Sequence, residues 1–568
     1  MDDIILGVHF TSIDLDNFTF DGNVAFYMNG EIIFAIAEER VSRRKYDGGI
    51  VEAIGYGLKQ NEIEKKQISV VSISTFGQNI EIEEVRVEYI VKYFKNLIGL
   101  HVEVFVNSDH HLVHAHVAAS LCPFDDAIIA VLDNTGSVLS GNDSDLAGAA
   151  VQQSSYFLYR NGKLSLSTVD HDNLGSVGLG RAYSKVTRYV GFETYHDAGK
   201  TMGLAAFGCR ENLVGDLYKV SDEGVVDSNL THAHYSPDGL VDLQVWFATQ
   251  GLKIPQKRPS DIPIRRFDMD LADWMQGELE TIVLKRLSHI VQASGIPNVC
   301  VTGGVALNSV MNRSVADYFG DEHVYVPFSP GDAGMSIGAI SVYLENKQNM
   351  ITKFNCDPYL GGGYSDSEIY EALISHQRKV KFEKSDNLIS DSAKIILSGD
   401  IVGWFQGKSE FGPRALGNRS ILGLPSNPWI KEVLNHQVKL REWFRPYAPV
   451  VIEADSTEYF DVQFSEPYMM KTANVKVGAK SRIPACVHVD GTARLQTVSE
   501  ASNKLLYDLL NEIQLFTNVP VLINTSFNLN GMPIVESPKD AIDCFIDSEG
   551  LGHLIIGNYI VKKVARDD

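Results

Sequence analysis

Cysteine is scarce in this chain, with six in 568 residues and no C-x-x-C pair among them. Scattered thiols exclude a disulfide framework and indicate a reducing compartment. Long apolar runs are missing too, since none approaches the roughly 18 residues of a membrane helix. The first residues, Met1-Asp2-Asp3-Ile4, lack the basic stretch of a secretion signal. We therefore expect a cytoplasmic protein without membrane-spanning segments.

Positive charge is also in deficit. Lys and Arg number 50 against 72 Asp and Glu, which gives a formal net charge of −22. A surface that acidic repels nucleic acid and anionic membranes, so neither is expected as a partner. The length suits roughly two to four domains. In such a chain, a cluster of Arg and Lys is a candidate anion site.

One arrangement of strands occurs twice in the first half of the chain. A buried strand is predicted at 4–9, and an Asn29-Gly30 turn follows between two strand-like segments. A second buried strand is predicted at 127–132, with another such turn at Asn161-Gly162. Asn-Gly favours tight hairpins because both residues tolerate positive φ. The repetition predicts two halves that face a cleft, the plan of the sugar kinase, Hsp70 and actin superfamily, although two unrelated hairpins would leave the same pattern.

A histidine-rich segment predicts a metal site. Four of the seven residues from 110 to 116 are His, and His110 and His114 lie one turn apart on the predicted helix. Two imidazoles at that spacing bind one divalent metal, although the Glu that zinc proteases place beside the first His is missing. Asp133 and Asp332, each in a turn after a predicted strand, are the candidate carboxylates. A His₂Asp₂ set suits Fe(II), Mn(II) or Zn(II), whereas buried polar residues on a helix facing a sheet are the alternative.

Polar and basic segments characterise the second part of the chain. Residues 345–349 and 357–363 are predicted as a linker. Beyond them a strand at 402–405 leads into a glycine-rich segment, and the cations of this region are Lys408, Arg414, Arg419, Lys431, Lys439, Arg441, Arg445 and Arg494. Cations beside glycine-rich turns indicate a phosphate site, to which Arg gives bidentate contacts. Ordinary surface ion pairs are the alternative.

Together these segments resemble the NodU/CmcH O-carbamoyltransferase family. The matching segments are Glu38-Glu39-Arg40 with Lys45, the His-rich helix, Asp133, Gly199–Ala205, Gly303–Asn308, Pro330–Gly334, Glu410–Ser420, Phe444-Arg445-Pro446 and Asn524–Asn528. They extend from near residue 1 to near residue 540. The segment Glu410–Ser420 is specific by itself, and the glycine-rich segments gain specificity from their order.

The resemblance implies an α/β chain with two catalytic domains. Residues 1–350 would form a duplicated actin-like (ASKHA) domain, similar to the universal tRNA threonylcarbamoyl transferase, and residues 351–568 a YrdC-like α/β domain. The second would make carbamoyl adenylate from carbamoyl phosphate and ATP with Mg²⁺. The first would transfer the carbamoyl group to a hydroxyl of a small natural product, such as an antibiotic precursor, at a metal site that holds iron in the best-known relatives. A homodimer is left open.

The resemblance also implies roles for individual residues. The implied metal ligands are His110, His114, Asp133 and Asp332. The residues implied to hold the adenylate in the N-terminal cleft are Lys45, Gly303, Gly304 and Asn308. Those implied to bind phosphates and carbamoyl phosphate are Arg414, Lys439, Arg445, Arg494, Asn524 and Ser526, of which Lys439, Arg445 and Ser526 would be catalytic.

One departure concerns the base of the transfer step. The relatives carry His-Asp-Ala-Ser where the first hairpin begins. That His looks like the base that takes the proton from the acceptor hydroxyl. This chain has Phe20-Asp21-Gly22-Asn23 instead. We expect Asp21 to substitute, with His9, Asp14 and Asp16 as other candidates. Otherwise the acceptor is acidic enough to need no base, or the transfer is slow or is altered, to an N-nucleophile or to water.

Three other functions fit parts of the sequence. A tRNA-modifying carbamoyl transferase is disfavoured by the net charge of −22, because RNA binding needs a basic face. A sugar kinase would not explain Glu410–Ser420. A non-catalytic nucleotide sensor would not need the cations that the resemblance assigns to phosphates.

Overall fold

A computed structural model describes residues 4–10, 21–76, 80–140, 150–172, 178–221, 224, 226–229 and 242–564. The chain forms two compact units. Unit 1 comprises Met1–Asn17, Tyr27–Glu31 and Lys65–Asn355, and unit 2 comprises Phe18–Phe26, Ile32–Glu64 and Cys356–Asp568.

The chain contains both strands and helices, as expected for an α/β chain. The strands in the first part are β1 (Ile4–His9), β2 (Asn23–Met28), β3 (Glu31–Ala37), β4 (Ile68–Ser74), β5 (Glu103–Asn107), β6 (Ala127–Leu132), β7 (Val138–Ser140), β8 (Ala150–Arg160), β9 (Lys163–Asp172), β10 (Tyr218–Val220), β11 (Val226–Ser228), β12 (Val299–Thr302) and β13 (Val324–Tyr325). The strands that follow are β14 (Val380–Lys384), β15 (Val402–Phe405), β16 (Arg419–Gly423), β17 (Ala448–Ile452), β18 (Thr472–Asn474), β19 (Thr492–Arg494), β20 (Gln496–Val498), β21 (Val521–Ser526), β22 (His553–Ile556) and β23 (Tyr559–Lys563).

The helices differ widely in length. They are α1 (Glu38–Ser42), α2 (Val51–Gln60), α3 (Ile80–Leu97), α4 (His110–Leu121), α5 (Leu179–Tyr189), α6 (Ala198–Ala205), α7 (Leu243–Thr249), α8 (Arg266–Ser294), α9 (Ser309–Phe319), α10 (Met335–Gln348), α11 (Asp366–Ser375), α12 (Leu388–Leu397), α13 (Ile430–Val433), α14 (Ser456–Tyr459), α15 (Val477–Lys480), α16 (Lys504–Thr517) and α17 (Pro538–Asp547). Short 3₁₀ turns include Gly304–Leu307 and Asp332–Gly334, and a π turn covers Leu434–Val438.

The same strand order occurs in two sheets. The first sheet has the order β3-β2-β1-β4-β5, and the second has the order β9-β8-β6-β12-β13, with β7 also paired to β8. Strand β1 is parallel to β4, as β6 is to β12. The predicted duplication is therefore confirmed. Both Asn-Gly turns are confirmed as well, since φ is 53° and 95° at Asn29-Gly30 and 51° and 74° at Asn161-Gly162.

Close packing of α10 against its neighbours positions one side of the candidate metal site. A Cβ at Gly338 of α10 would meet the Val113 carbonyl of α4 at 2.4 Å, and a Cβ at Gly7 of β1 would meet the Ser336 carbonyl at 2.2 Å. No larger side chain fits at such an approach. Helix α4, which carries the His-rich segment, is thus held directly against α10, which follows Asp332.

Unit 2 contains a mixed eight-stranded sheet with helices on both faces. Its order is β14-β23-β22-β15-β16-β21-β17-β20, and only β15–β22 and β17–β20 are parallel among these pairs. Successive side chains of a strand point to opposite faces. Accordingly Phe405 packs in the core below α11 and α17, whereas Trp404 packs in the core below α12 and α16.

Two sequence expectations about boundaries need correction. The polar run 345–348 was predicted as a linker but is the last turn of α10, which ends at Gln348, because polar residues also suit an exposed helix end. The structure also differs from a simple boundary at residue 350, since residues 32–64 belong to unit 2. Backbone and side-chain contacts explain this: Ala35 N donates to Leu360 O at 2.9 Å and the Tyr56 hydroxyl to Glu536 at 2.9 Å. All six cysteines are free.

Candidate functional site

Helix α4 begins at His110, one turn before His114. The Asp109 side chain caps the helix by accepting from Leu112 N at 3.1 Å, as short polar side chains commonly do at this position. Both His110 and His114 are fully buried. The histidines one turn apart therefore lie side by side in the interior of unit 1.

Four side chains converge there. Nε2 of His110 lies 3.2 Å from Asp133 Oδ2 and 3.5 Å from Asp332 Oδ1. Nε2 of His114 lies 3.2 Å from Asp332 Oδ1 and 3.9 Å from Asp133 Oδ2. One potential ligand atom from each residue lies within 4.8 Å of the others. The structure thus brings together the four residues that the sequence predicted as metal ligands.

The two carboxylates are fixed by turns that follow strands. Asp133 directly follows β6, and its Oδ1 accepts a hydrogen bond from Gly304 N at 3.1 Å. A Cβ at Gly304 would lie 2.9 Å from that oxygen, so glycine permits this approach. Asp332 starts the 3₁₀ turn that leads into α10. Each carboxylate is therefore held by backbone that the sheet or a helix anchors.

The charges of His110 and the two carboxylates stabilise one another. Burial acts to lower the pKa of His110, but Asp332 and Asp133 outweigh it and raise that pKa to about 9. Burial acts to raise the pKa of Asp332, but His110 and His114 hold it well below its usual range. The Phe76 ring stacks on His110 at a centroid distance of 3.9 Å, which covers one face of the imidazole. The carboxylates are accordingly charged and ready to bind a cation.

The donor set fits a divalent transition metal. Separations of 3.2 to 3.9 Å between ligand atoms suit metal–ligand bonds of about 2.0–2.2 Å. Two imidazole nitrogens and two carboxylate oxygens are compatible with Fe(II), Mn(II) and Zn(II). Nδ1 of both His110 and His114 has no hydrogen-bond partner among the described residues, although metal-bound histidines usually have one. The ring orientations are therefore set by packing.

The other histidines near this cluster have different contacts. His111 bonds Ser155 Oγ through Nδ1 at 2.7 Å, and His116 contacts Ser341 and Glu345. His9 bonds Ser74 Oγ at 3.2 Å, and its ring centroid is 6.0 Å from that of His110. Burial lowers the pKa of His9 to about 3. His9 is thus a neutral imidazole beside the predicted ligands.

The residues implied to hold the adenylate have internal contacts of their own. Gly303 adopts a φ of 90°, and Gly304 N points at Asp133. Asn308 caps α9 by accepting from Met311 N at 3.0 Å, and its Nδ2 donates to Gln276 at 2.8 Å. These contacts explain the glycines and the Asn structurally. Their roles in binding an adenylate stay predictions.

Lys45 and Asp21 lie in unit 2, whereas the resemblance placed Lys45 in the N-terminal cleft. Lys45 pairs with Glu39 at 3.1 Å, and its charge contributes to lowering the pKa of Lys439. Asp21 adopts the left-handed φ of 54°, which Asp tolerates better than most residues. Phe20, Asp14 and Asp16 lie outside the described residues. The role of Asp21 as a base stays a prediction.

Lys439 follows the π turn Leu434–Val438 in unit 2. It is buried, and its three N–H donors face four oxygens: the Ser526 carbonyl, Ser526 Oγ at 3.1 Å, Asn528 O at 3.0 Å and Asn528 Oδ1 at 2.8 Å. All four acceptors are neutral oxygens. Burial, followed by the nearby charge of Arg441, lowers the pKa of Lys439 well below its usual range. The charge is held in place without an ionic partner among these contacts.

Several guanidinium groups lie close enough to act on each other's pKa. Burial, together with Arg445, lowers the pKa of Arg414 to about 10. Burial lowers the pKa of Arg494 well below its usual range, and Arg414, Arg441 and Arg445 add to that effect. Glu442 contacts Arg445 at 3.7 Å. A bound anion would relieve the repulsion between these cations. The cluster is therefore a candidate anion site.

Asn524 and Ser526 lie on β21 next to this cation cluster. Asn524 is buried, and its Nδ2 donates to Ala415 O at 3.2 Å and to Gln496 Oε1 at 2.7 Å. Its Oδ1 has no hydrogen-bond partner within the part of the chain that the structure describes. Ser526 Oγ donates to Asn528 Oδ1 at 2.5 Å. Asn524 therefore retains one acceptor for a ligand.

The segment Glu410–Ser420 contains one arginine that stabilises the fold and one that belongs to the cation cluster. Glu410 accepts from the backbone N of Leu416, Asn418 and Arg419 at 2.8, 2.7 and 3.2 Å. Arg419 is fully buried, stacks on Phe405 at 3.7 Å and donates to backbone carbonyls, including that of Gln406 at 2.7 Å. Arg419 thus stabilises the fold, whereas Arg414 belongs to the cation cluster.

Two residues beside the cluster were not given individual roles from the sequence. Arg441 stacks on Tyr447 at 4.1 Å and donates to Asn435 Oδ1 at 3.1 Å. Burial lowers the pKa of Arg441 to about 10; Tyr447 opposes this shift, and the charge of Arg445 adds to it. His488 lies near Arg494 and Lys431, whose charges act on its pKa. Arg441 was visible in the sequence as one cation among several. His488 had no sequence signal, because its environment depends on a loop.

A separate cavity of about 210 Å³ in unit 2 holds none of the predicted residues. It is lined by Tyr364, Phe405, Gln406 and Gly557 among others. Gln406 Nε2 donates to Gly557 O at 3.1 Å. The cavity contains no Lys or Arg in its lining, so we do not assign the anion site to it.

Two family models match separate parts of the chain. The carbamoyltransferase N-terminus family matches residues 96–341, and the carbamoyltransferase C-terminus family matches residues 393–563. The first match contains the four candidate metal ligands, and the second contains the cation cluster. The chain belongs to the carbamoyltransferase family and is a carbamoyltransferase.

Nodulation proteins are among the similar sequences. Nodulation protein NolNO of Sinorhizobium fredii is 30% identical over an alignment of 586 positions, which covers 98% of this chain and 81% of that protein. Nodulation protein NolO of Bradyrhizobium diazoefficiens is 32% identical over 463 residues, covering 80% and 79% respectively. Both similarities extend over the two units.

Among solved structures, one match is full-length HypF in its phosphate- and nucleotide-bound form. The match covers 59% of this chain and 54% of the HypF chain, with 12% identity and a TM-score of 0.35. A likeness of that size supports no conclusion on fold or function.

Among the described residues, no helix has the length and apolar character needed to cross a membrane.

Proposed function

We propose that this carbamoyltransferase acts in two steps and consumes ATP. Unit 2 would convert carbamoyl phosphate, water and ATP, bound with Mg²⁺, into carbamoyl adenylate, inorganic phosphate and pyrophosphate. Unit 1 would transfer the carbamoyl group to a hydroxyl of a small natural product. The observation that carries the proposal is the cation cluster of Arg414, Arg445 and Arg494 beside Lys439. Burial lowers the pKa values of Arg414, Arg494 and Lys439, and the nearby charge of Arg445 adds to that lowering.

The first step requires the binding of two polyanions. Arg414, Arg445 and Arg494 would contact phosphate oxygens in pairs, because a guanidinium group presents parallel N–H donors. Lys439 would add a point charge whose position Ser526 and Asn528 fix. Negative charge accumulates on the departing pyrophosphate as the adenylate forms. Donors that are already in place stabilise that charge without reorganising.

The second step takes place at the four-residue cluster of unit 1. His110, His114, Asp133 and Asp332 would hold Fe(II) or another divalent transition metal. When bound, such a metal supplies a Lewis acid that polarises the carbamoyl carbonyl. The chain itself orients the four ligands and shields His110 with the Phe76 ring. This set of contacts supports transfer in a site from which water is partly excluded.

The acceptor hydroxyl must lose a proton during transfer. We propose Asp21 for this role because it follows directly on the position where the relatives carry His. His9 is the second candidate, since it lies near His110. Burial lowers its pKa to about 3, so the ring is neutral but is a weaker base than an ordinary histidine. A neutral imidazole accepts a proton, whereas a charged one does not.

The acceptor would be a hydroxylated product of secondary metabolism, for example an antibiotic precursor. The protein would work in the cytoplasm, where ATP and carbamoyl phosphate are both present. Neither nucleic acid nor membrane would take part. These statements follow from the family resemblance and from the net charge of −22.

Release of pyrophosphate tests the first step. Purified protein with Fe(II), ATP and Mg²⁺ should release pyrophosphate only when carbamoyl phosphate is added. Arg445→Ala should abolish this release, whereas Arg378→Ala, an exposed arginine of unit 2 outside the cluster, should not. Release that is independent of carbamoyl phosphate would contradict the proposal.

A further inference from the structure

A tight loop places His488 at the edge of the cation cluster. His488 N donates to Thr492 O at 2.8 Å, and Gly491 N donates to His488 O at 3.0 Å. Thr492 begins β19, which ends at Arg494. The loop thus fixes the imidazole near an arginine that the proposed function assigns to phosphate binding.

A chain of hydrogen bonds determines which nitrogen of His488 carries the proton. Thr492 Oγ1 donates its single hydrogen to Asp490 Oδ1 at 2.8 Å, because a charged carboxylate only accepts. His488 Nδ1 lies 3.0 Å from the same hydroxyl oxygen. The hydroxyl has no second hydrogen, so Nδ1 must be the donor. In the neutral ring, Nε2 is then a bare lone pair.

The ring is neutral at physiological pH. Burial lowers the pKa of His488 to about 4. The neighbouring charges of Arg494 and Lys431 act in the same direction, and Asp490 opposes them. The lone pair on Nε2 therefore remains available across the range in which the enzyme works.

Nε2 of His488 is buried, and no described residue forms a hydrogen bond with it. Arg494 and Lys431 only donate hydrogen bonds. The oxygens of Ser526 and Asn528 are already directed at Lys439. Besides Asn524 Oδ1, which also lacks a partner among the described residues, His488 Nε2 thus offers an acceptor near a group of donors. A buried acceptor is costly unless a ligand supplies the hydrogen.

We propose that His488 Nε2 accepts a hydrogen bond from the carbamoyl amide and thereby makes the anion site selective for carbamoyl phosphate over acetyl phosphate. This inference rests on the proposed function, because it assumes that the cation cluster binds carbamoyl phosphate. Acetyl phosphate has the same phosphate and carbonyl but carries a methyl group in place of the amide. Its methyl group would leave Nε2 without a partner.

The cations and His488 would then have separate effects on binding. Contacts to phosphate are equal for both compounds, so the cations set the affinity that the compounds share. The hydrogen bond to the amide exists only for carbamoyl phosphate. Loss of one such bond changes the ratio of dissociation constants by about tenfold.

Two substitutions isolate the Nε2 atom. The amide nitrogen of His488→Asn replaces Nδ1 and donates to Thr492, but nothing replaces Nε2. His488→Gln instead carries an amide at the Nε2 position, where its oxygen can accept. Calorimetry on the full chain would use inorganic phosphate, acetyl phosphate and freshly prepared carbamoyl phosphate with wild type and both variants.

We expect wild type to bind carbamoyl phosphate about tenfold more tightly than acetyl phosphate. His488→Asn should lose this preference while it binds inorganic phosphate like wild type, and His488→Gln should retain part of it. If wild type binds phosphate but shows no preference, or if His488→Asn keeps the preference, the inference is overturned while the proposed function stands. Equal loss of phosphate binding in His488→Asn would indicate a positioning role and also overturn it. If wild type binds no phosphate, the proposed function fails and the inference fails with it.

Discussion

The rings of His110 and His114 meet edge to face at an interplanar angle of 89°, with their Nε2 atoms 3.2 Å apart. One helical turn separates the two residues, so α4 alone fixes half of the candidate ligand set. Two imidazole nitrogens aimed at one point need a proton or a metal between them. The two carboxylates on the other side make a metal the better occupant.

Substitution of His114 is expected to remove metal binding. His114→Asn loses one of the two imidazole donors, so its affinity for Fe(II) should fall by at least roughly 100-fold. Metal content would be measured by mass spectrometry after anaerobic loading and gel filtration. His111→Asn is the matched control, because an Asn amide replaces the Nδ1 that bonds Ser155. Equal metal content in His114→Asn and wild type would exclude this site.

The Gly304→Ala variant tests the support of Asp133. Its new Cβ would lie 2.9 Å from Asp133 Oδ1 and push the carboxylate away from its position. We expect metal affinity to fall by about 10- to 100-fold, with little loss of stability. Gly199→Ala in α6, where a Cβ meets nothing within 4 Å, should bind metal as wild type does.

Local signals in the sequence predicted much of unit 1. Both hairpins follow from Asn-Gly turns, and the helix at His110 follows from its small and apolar residues. Asp133 and Asp332 were identifiable because each follows a predicted strand and lies in a polar turn. Their approach to His110 depends on the parallel pairing of β12 with both β6 and β13, which the sequence suggested only through the duplication.

Contacts between distant segments were not predictable in the same way. Lys45 lies in unit 2 because residues 32–64 pair with a region more than 300 residues further on, for example through Tyr56 and Tyr364 at 2.7 Å. The distinct roles of Arg414 and Arg419 depend on which of them points into the core. The bare Nε2 of His488 results from a loop geometry that no residue pattern encodes.

The arginines of one segment should respond differently to substitution. Arg419→Ala removes a buried side chain and leaves the Gln406 and Gly407 carbonyls without their donor, so the free energy of unfolding should fall by about 2–4 kcal/mol. Arg414→Ala relieves repulsion from Arg445, so stability should be unchanged or slightly higher while pyrophosphate binding weakens. Urea unfolding and calorimetry would separate the two effects. An Arg414→Ala protein as unstable as Arg419→Ala would contradict the assignment.

Glu38 should make stability depend on pH. Burial raises its pKa from 4.5 to about 7, against hydrogen bonds from Ala53 N and Glu52 N. The folded state therefore holds this proton more tightly than the unfolded state. The contribution is fully present below pH 4.5 and is lost as pH rises through 7, at about 1.4 kcal/mol per pH unit in between. Urea unfolding at several pH values should show a smaller decline in Glu38→Gln; an identical decline would rule out Glu38 as the source.

The proposed formation of carbamoyl adenylate by unit 2 is tested most directly by mass spectrometry. The full protein would be incubated with ATP, Mg²⁺ and carbamoyl phosphate in the absence of any acceptor. We predict carbamoyl adenylate, or the AMP that its breakdown leaves, in wild type and in His114→Asn but not in Arg445→Ala. If folded, metal-loaded wild type forms neither compound, the assignment of the cation cluster to adenylate formation is wrong.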